Sequence, residues 1–354
     1  MRIAIIASPF ISVPPLRYGG TELFVATLAE ALRAKRVDTV VYANGESTVH
    51  ADLRWRYPQS DWPLAHESAG VTKELDQVSW AIEDAAGDCD IVHVNSALSV
   101  TYSRFLAANM VCTLHHPFDP ALGELYARYP DIHYAAISHA QASSYPKLGL
   151  ETIHHGVDLA QYRFRSQKDD YLCFLGRIAP LKGVHHAIRV SKKAGIPLKI
   201  AGEIQPIFQA YFETQIKPHI DGRFIEYVGE VDLTMKNELL GRSMGLLFPI
   251  EWEEPFGLVM VEAMACGTPV FAFARGAVPE VISEGVSGCI CNSVGEMAAA
   301  ALQRKFIPKH VRQWAAEKFS AEAMADRYLD LYRRILQEES HENASWPETG
   351  EIAV

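Results

Sequence analysis

GLLFPIEWEEPFGLVMVEAMACGTPVFAFA, residues 245–274, contains a complete strand, helix and strand unit. The apolar run GLLFPI gives way to a polar EWEE, and Pro255 and Gly257 punctuate its end. LVMVEAMAC then reads as a helix closed by Gly267 and Pro269, after which PVFAFA resumes a buried strand. Buried apolar strands alternating with helices build parallel sheets. The same rhythm extends towards the N-terminus: RIAIIA (2–7), TVVYA (39–43), CDIVHVN (89–95), MVCTLHH (110–116) and HYAAIS (133–138) come first. A polar stretch, YRFRSQKDD (162–170), interrupts it, and YLCFLG (171–176), PLKIAGE (197–203) and FIEYVG (224–229) restart it. Helical patterns fall at 21–36, 183–194, 234–242, 257–266 and 294–304. The chain is therefore expected to be α/β, with two facing Rossmann-like, doubly wound parallel-sheet domains over 1–165 and 166–310. Ligands in such folds bind beyond the carboxyl ends of the strands, so the cleft between the domains is the expected site. Residues 311–337 predict C-terminal helices able to pack back on the first domain, and the polar residues 338–354 predict a flexible tail.

Composition narrows the function. At 354 residues, 49% hydrophobic and 21% charged, the chain is neither disordered, collagen-like nor a small disulfide scaffold. Its formal net charge is −10, and neither half hides a basic module: 13 basic residues face 18 acidic ones through residue 165, and 20 face 25 after it. A sequence-independent grip on nucleic acid is excluded, and contact with a membrane is at most peripheral. A few cations around one phosphate remain compatible. The six cysteines are dispersed through apolar segments, which suits reduced thiols and a cytoplasmic location. No run reaches the roughly 18–20 apolar residues of a membrane span. The N-terminal run, broken by Pro9, Pro14 and Pro15, reads as a first strand and not a signal peptide. Nothing in the sequence specifies an oligomeric state.

Four constellations carry polar chemistry. Glu254 and Glu262 lie eight positions apart; on a continuous helix that is about 12 Å along the axis, too far to share one proton. They suit opposite ends of an elongated polyhydroxylated ligand, with the N–H groups of Phe256, Gly257 and Leu258 facing an anion between them. A buried, satisfied helix carboxylate at Glu262 and a helix cap at Glu254 explain the spacing equally well. In FLGRIAPLKGV (174–184), Arg177 and Lys182 follow a strand end and suit a phosphate, although isolated surface cations are common. Gly19 and Gly20, between the first strand and first helix, allow close approach of a ligand to the backbone or mark a plain turn. The pairs His115-His116, His154-His155 and His185-His186 suggest metal, but neighbours on a strand face opposite ways and no HExxH or CxxC accompanies them. No metal is therefore expected. His115, at a strand end, is the candidate for a polar site role.

Taken in order, these motifs resemble the retaining glycosyltransferases of family 4, which have the GT-B fold, over roughly residues 1–335. EPFGLVMVE (254–262) matches the family's paired-glutamate signature, GRIAPLKG (176–183) its phosphate-contacting Arg and Lys, and YGG (18–20) its glycine loop. TLHH (113–116) matches its active-site His, HGVD (155–158) its interdomain stretch, and GAVPEVISEGVSG (276–288) the region after the signature. The resemblance implies that Glu262 holds the ribose hydroxyls and that Glu254, with the backbone of Phe256, Gly257 and Leu258, holds the transferred sugar. It implies that Arg177 and Lys182, helped by Gly19 and Gly20, bind the diphosphate, that His115 contacts the sugar, and that Val231 helps seat the base. The catalytic set is then His115, Arg177, Lys182 and Glu254.

The reaction implied by the resemblance is a hexosyl-type transfer from a nucleotide-diphosphate sugar to an acceptor hydroxyl of a glycan, glycolipid or small molecule. UDP is favoured over GDP by family prevalence, and no cofactor or metal is required. The first domain would hold the acceptor through loops such as 8–18 and 116–123. One departure is AGEIQPI (201–207), where many relatives have a glycine-rich turn. The alternatives are a sugar-nucleotide epimerase or phosphorylase of the same fold, or a binding protein without turnover.

Overall fold

The computed structural model describes residues 1–17, 19–64, 67–303 and 305–345. Among them are two all-parallel sheets. The first has seven strands: β1 (Arg2–Ile6), β2 (Asp38–Ala43), β3 (Asp52–Trp55), β4 (Ile91–Val94), β5 (Met110–Leu114), β6 (His133–Ala136) and β7 (Glu151–Thr152). Their order is β3-β2-β1-β4-β5-β6-β7. The second has β8 (Leu172–Leu175), β9 (Leu198–Ala201), β10 (Ile225–Gly229), β11 (Gly245–Phe248), β12 (Val270–Phe273) and β13 (Gly288–Cys291), ordered β10-β9-β8-β11-β12-β13. Strands such as IVHV and GLLF are buried along their whole length, as expected where helices cover both faces of a sheet.

Each sheet reverses its winding at its first strand, at β1 between β2 and β4 and at β8 between β9 and β11. Neighbouring loops diverge at such a switch point and leave a crevice. The loops concerned are 7–17 and 95–96 in the first domain, and 176–183 and 249–257 in the second.

The C-terminal helices divide between the domains. Pro308–Phe319 packs on the helix Leu258–Ala265 of the second. Ala321–Ser345 lies on the helix Gly20–Ala34 of the first, burying Met324, Tyr328, Leu331, Tyr332 and Ile335. Its docking is polar as well as apolar. The buried His93 ring reaches Tyr332 Oη at 2.7 Å through Nδ1 and Thr113 Oγ1 at 2.7 Å through Nε2. Between the two helices the chain passes beside its earlier crossing: Val157 N–H donates to Phe319 O and Ala321 N–H to Val157 O, both at 2.9 Å.

Several elements differ from the sequence reading. The helix Glu67–Ala86 and the strands β3, β7 and β13 are additional. The last helix continues through 338–345, within the stretch expected to be a tail, where Glu338, Glu339, Glu342 and Ala344 favour helix without an apolar stripe. Residues 346–354 of that stretch lie outside the described residues.

Candidate active site

A cleft of about 440 Å³ lies at the carboxyl ends of the strands, with walls from both domains. Gly19, Gly20, His115, Arg177, Lys182, Val231, Glu254, Phe256, Gly257, Leu258 and Glu262 all line it. Every residue of the expected donor-binding and catalytic set is thus brought to one cavity. Of the two loops expected to hold an acceptor, residues 14–17 line the cleft, whereas none of 116–123 is among its lining residues. That second loop is held elsewhere: His116 Nε2 lies 2.7 Å from Tyr126 Oη and the Phe118 ring packs against Tyr145, while residues 118–121 stay exposed.

The second-domain wall is built from two loops. After β8 the chain runs through Gly176 and Arg177 into the single turn Pro180–Lys182, closed by Gly183 at φ 74°. A side chain at 183 would meet the Pro249 carbonyl, so only glycine lets this loop seat against the end of β11. The seating brings Lys182 Nζ to 2.7 Å from Glu254 Oε2 and 4.3 Å from the centroid of the Trp252 ring. Trp252 Nε1–H donates to the same carboxylate oxygen at 2.9 Å. Glu254 is buried and precedes the helix Leu258–Ala265 without capping it, since the N-cap is Gly257 and no side chain caps that end. The first N–H groups of this helix therefore stand beside the cleft without a side-chain acceptor.

Glu262 is both a satisfied helix carboxylate and a cleft residue. It is buried, and its Oε1 accepts from Tyr162 Oη at 2.8 Å and from Lys236 Nζ at 2.6 Å. Burial, followed by the carboxylate beside it, pushes the Tyr162 hydroxyl well above its ordinary value. The tyrosine stays protonated and donates.

On the opposite wall, His115 Nε2 lies 2.8 Å from Asn95 Oδ1. The Asn95 amide is oriented by its own Nδ2–H, which donates to Ile6 O at 3.0 Å, so His115 Nε2 carries the proton and Nδ1 is the acceptor. Burial, and then the neighbouring His155, holds His115 well below its usual range, and the ring is neutral at pH 7. It stacks on His155 with centroids 5.2 Å apart. Gly19, at φ 147°, passes close to Pro15 and the buried Glu22, where a side chain would collide.

The sequence reading missed Tyr162, Lys236, Trp252 and Asn95, the side chains that hold the named residues in place. It also missed two contacts across the domains. Trp62 Nε1–H donates to Glu203 Oε1 at 3.2 Å, which places Glu203 of the AGEIQPI loop in the cleft wall and under the first domain. Glu280 accepts the N–H groups of His139 at 2.7 Å and Ala140 at 2.6 Å, and its Oε2 lies 2.9 Å from His154 Nε2. Among the described residues, two groups place three metal-ligating side chains together: His139, His154 and Glu280, and His185, His186 and Glu251. Neither group lines the cleft.

Two family profiles match successive parts of the chain. Residues 18–161 match the Glycosyltransferase Family 4 profile and residues 160–325 that of Glycosyl transferases group 1. The chain belongs to the family 4 glycosyltransferases. This glycosyltransferase is 25% identical over 368 residues to the N-acetyl-alpha-D-glucosaminyl L-malate synthase of Bacillus anthracis, covering 91% of both chains. It is 30% identical over 222 residues to the D-inositol 3-phosphate glycosyltransferase of Mycobacterium marinum, covering 53% of this chain and 45% of that one. Among solved structures it is similar to a glycosyltransferase involved in avilamycin A biosynthesis, with a TM-score of 0.74 at 25% identity over 95% of this chain and 98% of that one. The fold of this family 4 enzyme is GT-B. No helix among its described residues is long and apolar enough to cross a membrane.

Proposed function

We propose that this glycosyltransferase moves a hexosyl-type group from a nucleotide-diphosphate sugar to an acceptor hydroxyl, retaining the anomeric configuration and using no metal in the transfer. UDP-sugars are the first candidates as donor and GDP-sugars the second, with a glycan, glycolipid or small-molecule glycoside as product. A cytoplasmic setting is part of the proposal and fits the six free cysteines. One observation carries the reading: a single cleft holds a lysine paired with one glutamate in its lining and, on the helix that follows, a second glutamate fixed by Tyr162 and Lys236.

In this reading Glu262 receives the ribose hydroxyls through its remaining oxygen, Oε2, because Oε1 is taken by two donors. The diphosphate lies between Arg177, Lys182, the backbone of Gly19 and Gly20, and the N–H groups at the start of the helix Leu258–Ala265. Glu254 and the backbone of Phe256, Gly257 and Leu258 hold the transferred sugar, His115 accepts a sugar hydroxyl at Nδ1, and Val231 borders the base. A carboxylate that already accepts from both Lys182 and Trp252 is a weak nucleophile, which disfavours a covalent intermediate on Glu254. The acceptor oxygen then attacks the anomeric carbon from the face the diphosphate leaves. The bond from that carbon to the phosphate oxygen breaks, and the departing oxygen takes the acceptor's proton. Lys182 and Arg177 stabilise the charge that develops there.

Melting-temperature screens with UDP-, GDP- and ADP-sugars test the donor site, because a ligand that binds only the fold raises apparent stability by mass action. One nucleotide class should shift the melting point, and the stereochemistry of the product should match that of the donor. No shift with any donor at millimolar concentration, or an inverted product, would overturn the proposal.

A further inference from the structure

The transfer as proposed uses none of His185, His186 and Glu251. On a strand, neighbouring histidines would face apart. Here both stand on the first turn of the helix Val184–Ala194, where successive side chains diverge by only about 100°. Glu251, from the loop after β11, lies opposite them. His186 Nε2 is 2.9 Å from Glu251 Oε1, and His185 Nε2 is 3.6 Å from Oε2. The imidazole centroids are 4.1 Å apart, and one ligand atom from each of the three residues falls within 4.8 Å of the others. Tetrahedral ligands at about 2.0–2.1 Å from a zinc ion stand roughly 3.4 Å from one another, so the observed separations lie on either side of what an ion requires.

The surroundings orient the donors. His185 Nδ1 is 2.8 Å from Tyr211 Oη, the kind of outer contact that fixes a ligating ring and turns its other nitrogen to the metal. His186 Nδ1 is buried without a hydrogen-bond partner among the described residues, so polar contacts orient that ring through Nε2 alone. The other trio lacks this freedom: both oxygens of Glu280 already accept the backbone N–H groups of His139 and Ala140.

We propose that His185, His186 and Glu251 bind one divalent transition-metal ion of the zinc type, with water completing the coordination. The site is separate from the cleft, which none of the three residues lines. Its role is positional. Glu251 N–H already donates to Leu181 O at 2.8 Å, and the ion ties the Glu251 loop a second time, to the helix turn that follows, three and four residues from Lys182 and three from Glu254. The proposal stands or falls independently of the donor and of the stereochemistry.

Metal-stripped full-length protein is titrated with Zn²⁺ by calorimetry and with Co²⁺ by visible absorption. One ion per chain is expected, with the intense cobalt bands of a tetrahedral site and a melting point that rises on addition of zinc. His186→Ala and Glu251→Gln should each weaken binding by about 100-fold, and Tyr211→Phe by about tenfold. His139→Ala should leave it unchanged. Circular dichroism and melting of the metal-free variants confirm folding, and if His186→Ala does not fold, the more exposed Glu251→Gln decides. A wild-type protein that binds no zinc, or zinc binding unchanged in Glu251→Gln, overturns the proposal.

Discussion

Lys182 Nζ and Glu254 Oε2 form an ion pair at 2.7 Å, with the Trp252 ring beneath the ammonium. The pair lets two oppositely charged side chains of the cleft lining offset one another. Under the proposed function a diphosphate would compete with Glu254 for the lysine, which the ion pair already holds in position.

Lys182→Ala should therefore lower kcat more than it raises KM for the donor, with kcat/KM falling by about 10²–10³-fold. Steady-state transfer assays read this, and unchanged kinetics would remove Lys182 from the phosphate site. Combining it with Glu254→Gln should cost less than the sum of the single changes, because each variant already breaks the same pair.

Glu262→Gln keeps the shape of the helix residue and removes the charge that Tyr162 and Lys236 were oriented to meet. Nucleotide affinity should drop by about tenfold in calorimetric titration, equal to about 1.4 kcal/mol. Stability should fall by about 1–3 kcal/mol, since Lys236 loses its partner. An affinity equal to wild type would place the ribose elsewhere.

Acid should unfold this protein through its interior histidines. Burial lowers His93 and His155 to about 3, and His115 is also held well below 6.5. The unfolded chain takes up protons that the folded one excludes. Stability is therefore fully present above about 6.5 and falls as pH drops from there towards about 3. Urea midpoints measured from pH 8 to 4 should show the decline, and His93→Gln should flatten it. A midpoint independent of pH over that range would contradict the assignment.

Glu280→Ala removes the carboxylate that joins the second domain to the N-terminus of His139–Ser143. A stability loss of about 1–2 kcal/mol is expected from the charge-assisted hydrogen bonds. The donor KM should rise severalfold with kcat nearly unchanged, because Glu280 is one of the contacts that hold the two cleft walls in register. A variant with wild-type KM would confine Glu280 to local stability.

Much of this architecture is legible in the primary structure because parallel strands are buried on both faces and appear as continuous apolar runs. The strands that escape notice lack that signature. β3 is DLRW at a sheet edge, β7 has two residues, and GCIC in β13 carries one β-branched residue among small ones. The helix Glu67–Ala86 was within reach, since Val71, Leu75, Val78, Ile82 and Ala85 recur at helical spacing. The cleft lining was readable because its residues are short motifs at strand ends. Their supports were not: Tyr162 lies 100 positions from Glu262 and Lys236 lies 26 away. Only the folded chain makes them neighbours, and nothing local marks either. The same holds for the ligand trio, where Glu251 is 65 positions from His186.

The two adjacent crossings at Val157 and Phe319–Ala321 make the second domain an insertion within the first. Excised between them, roughly 158–319, it is one continuous polypeptide carrying its own sheet and closing helix. The first domain has no such independence: cut off before residue 321, it would expose the surface that Tyr328 and Tyr332 cover. Two parallel connections side by side also anchor the second domain to the first at two neighbouring points instead of one.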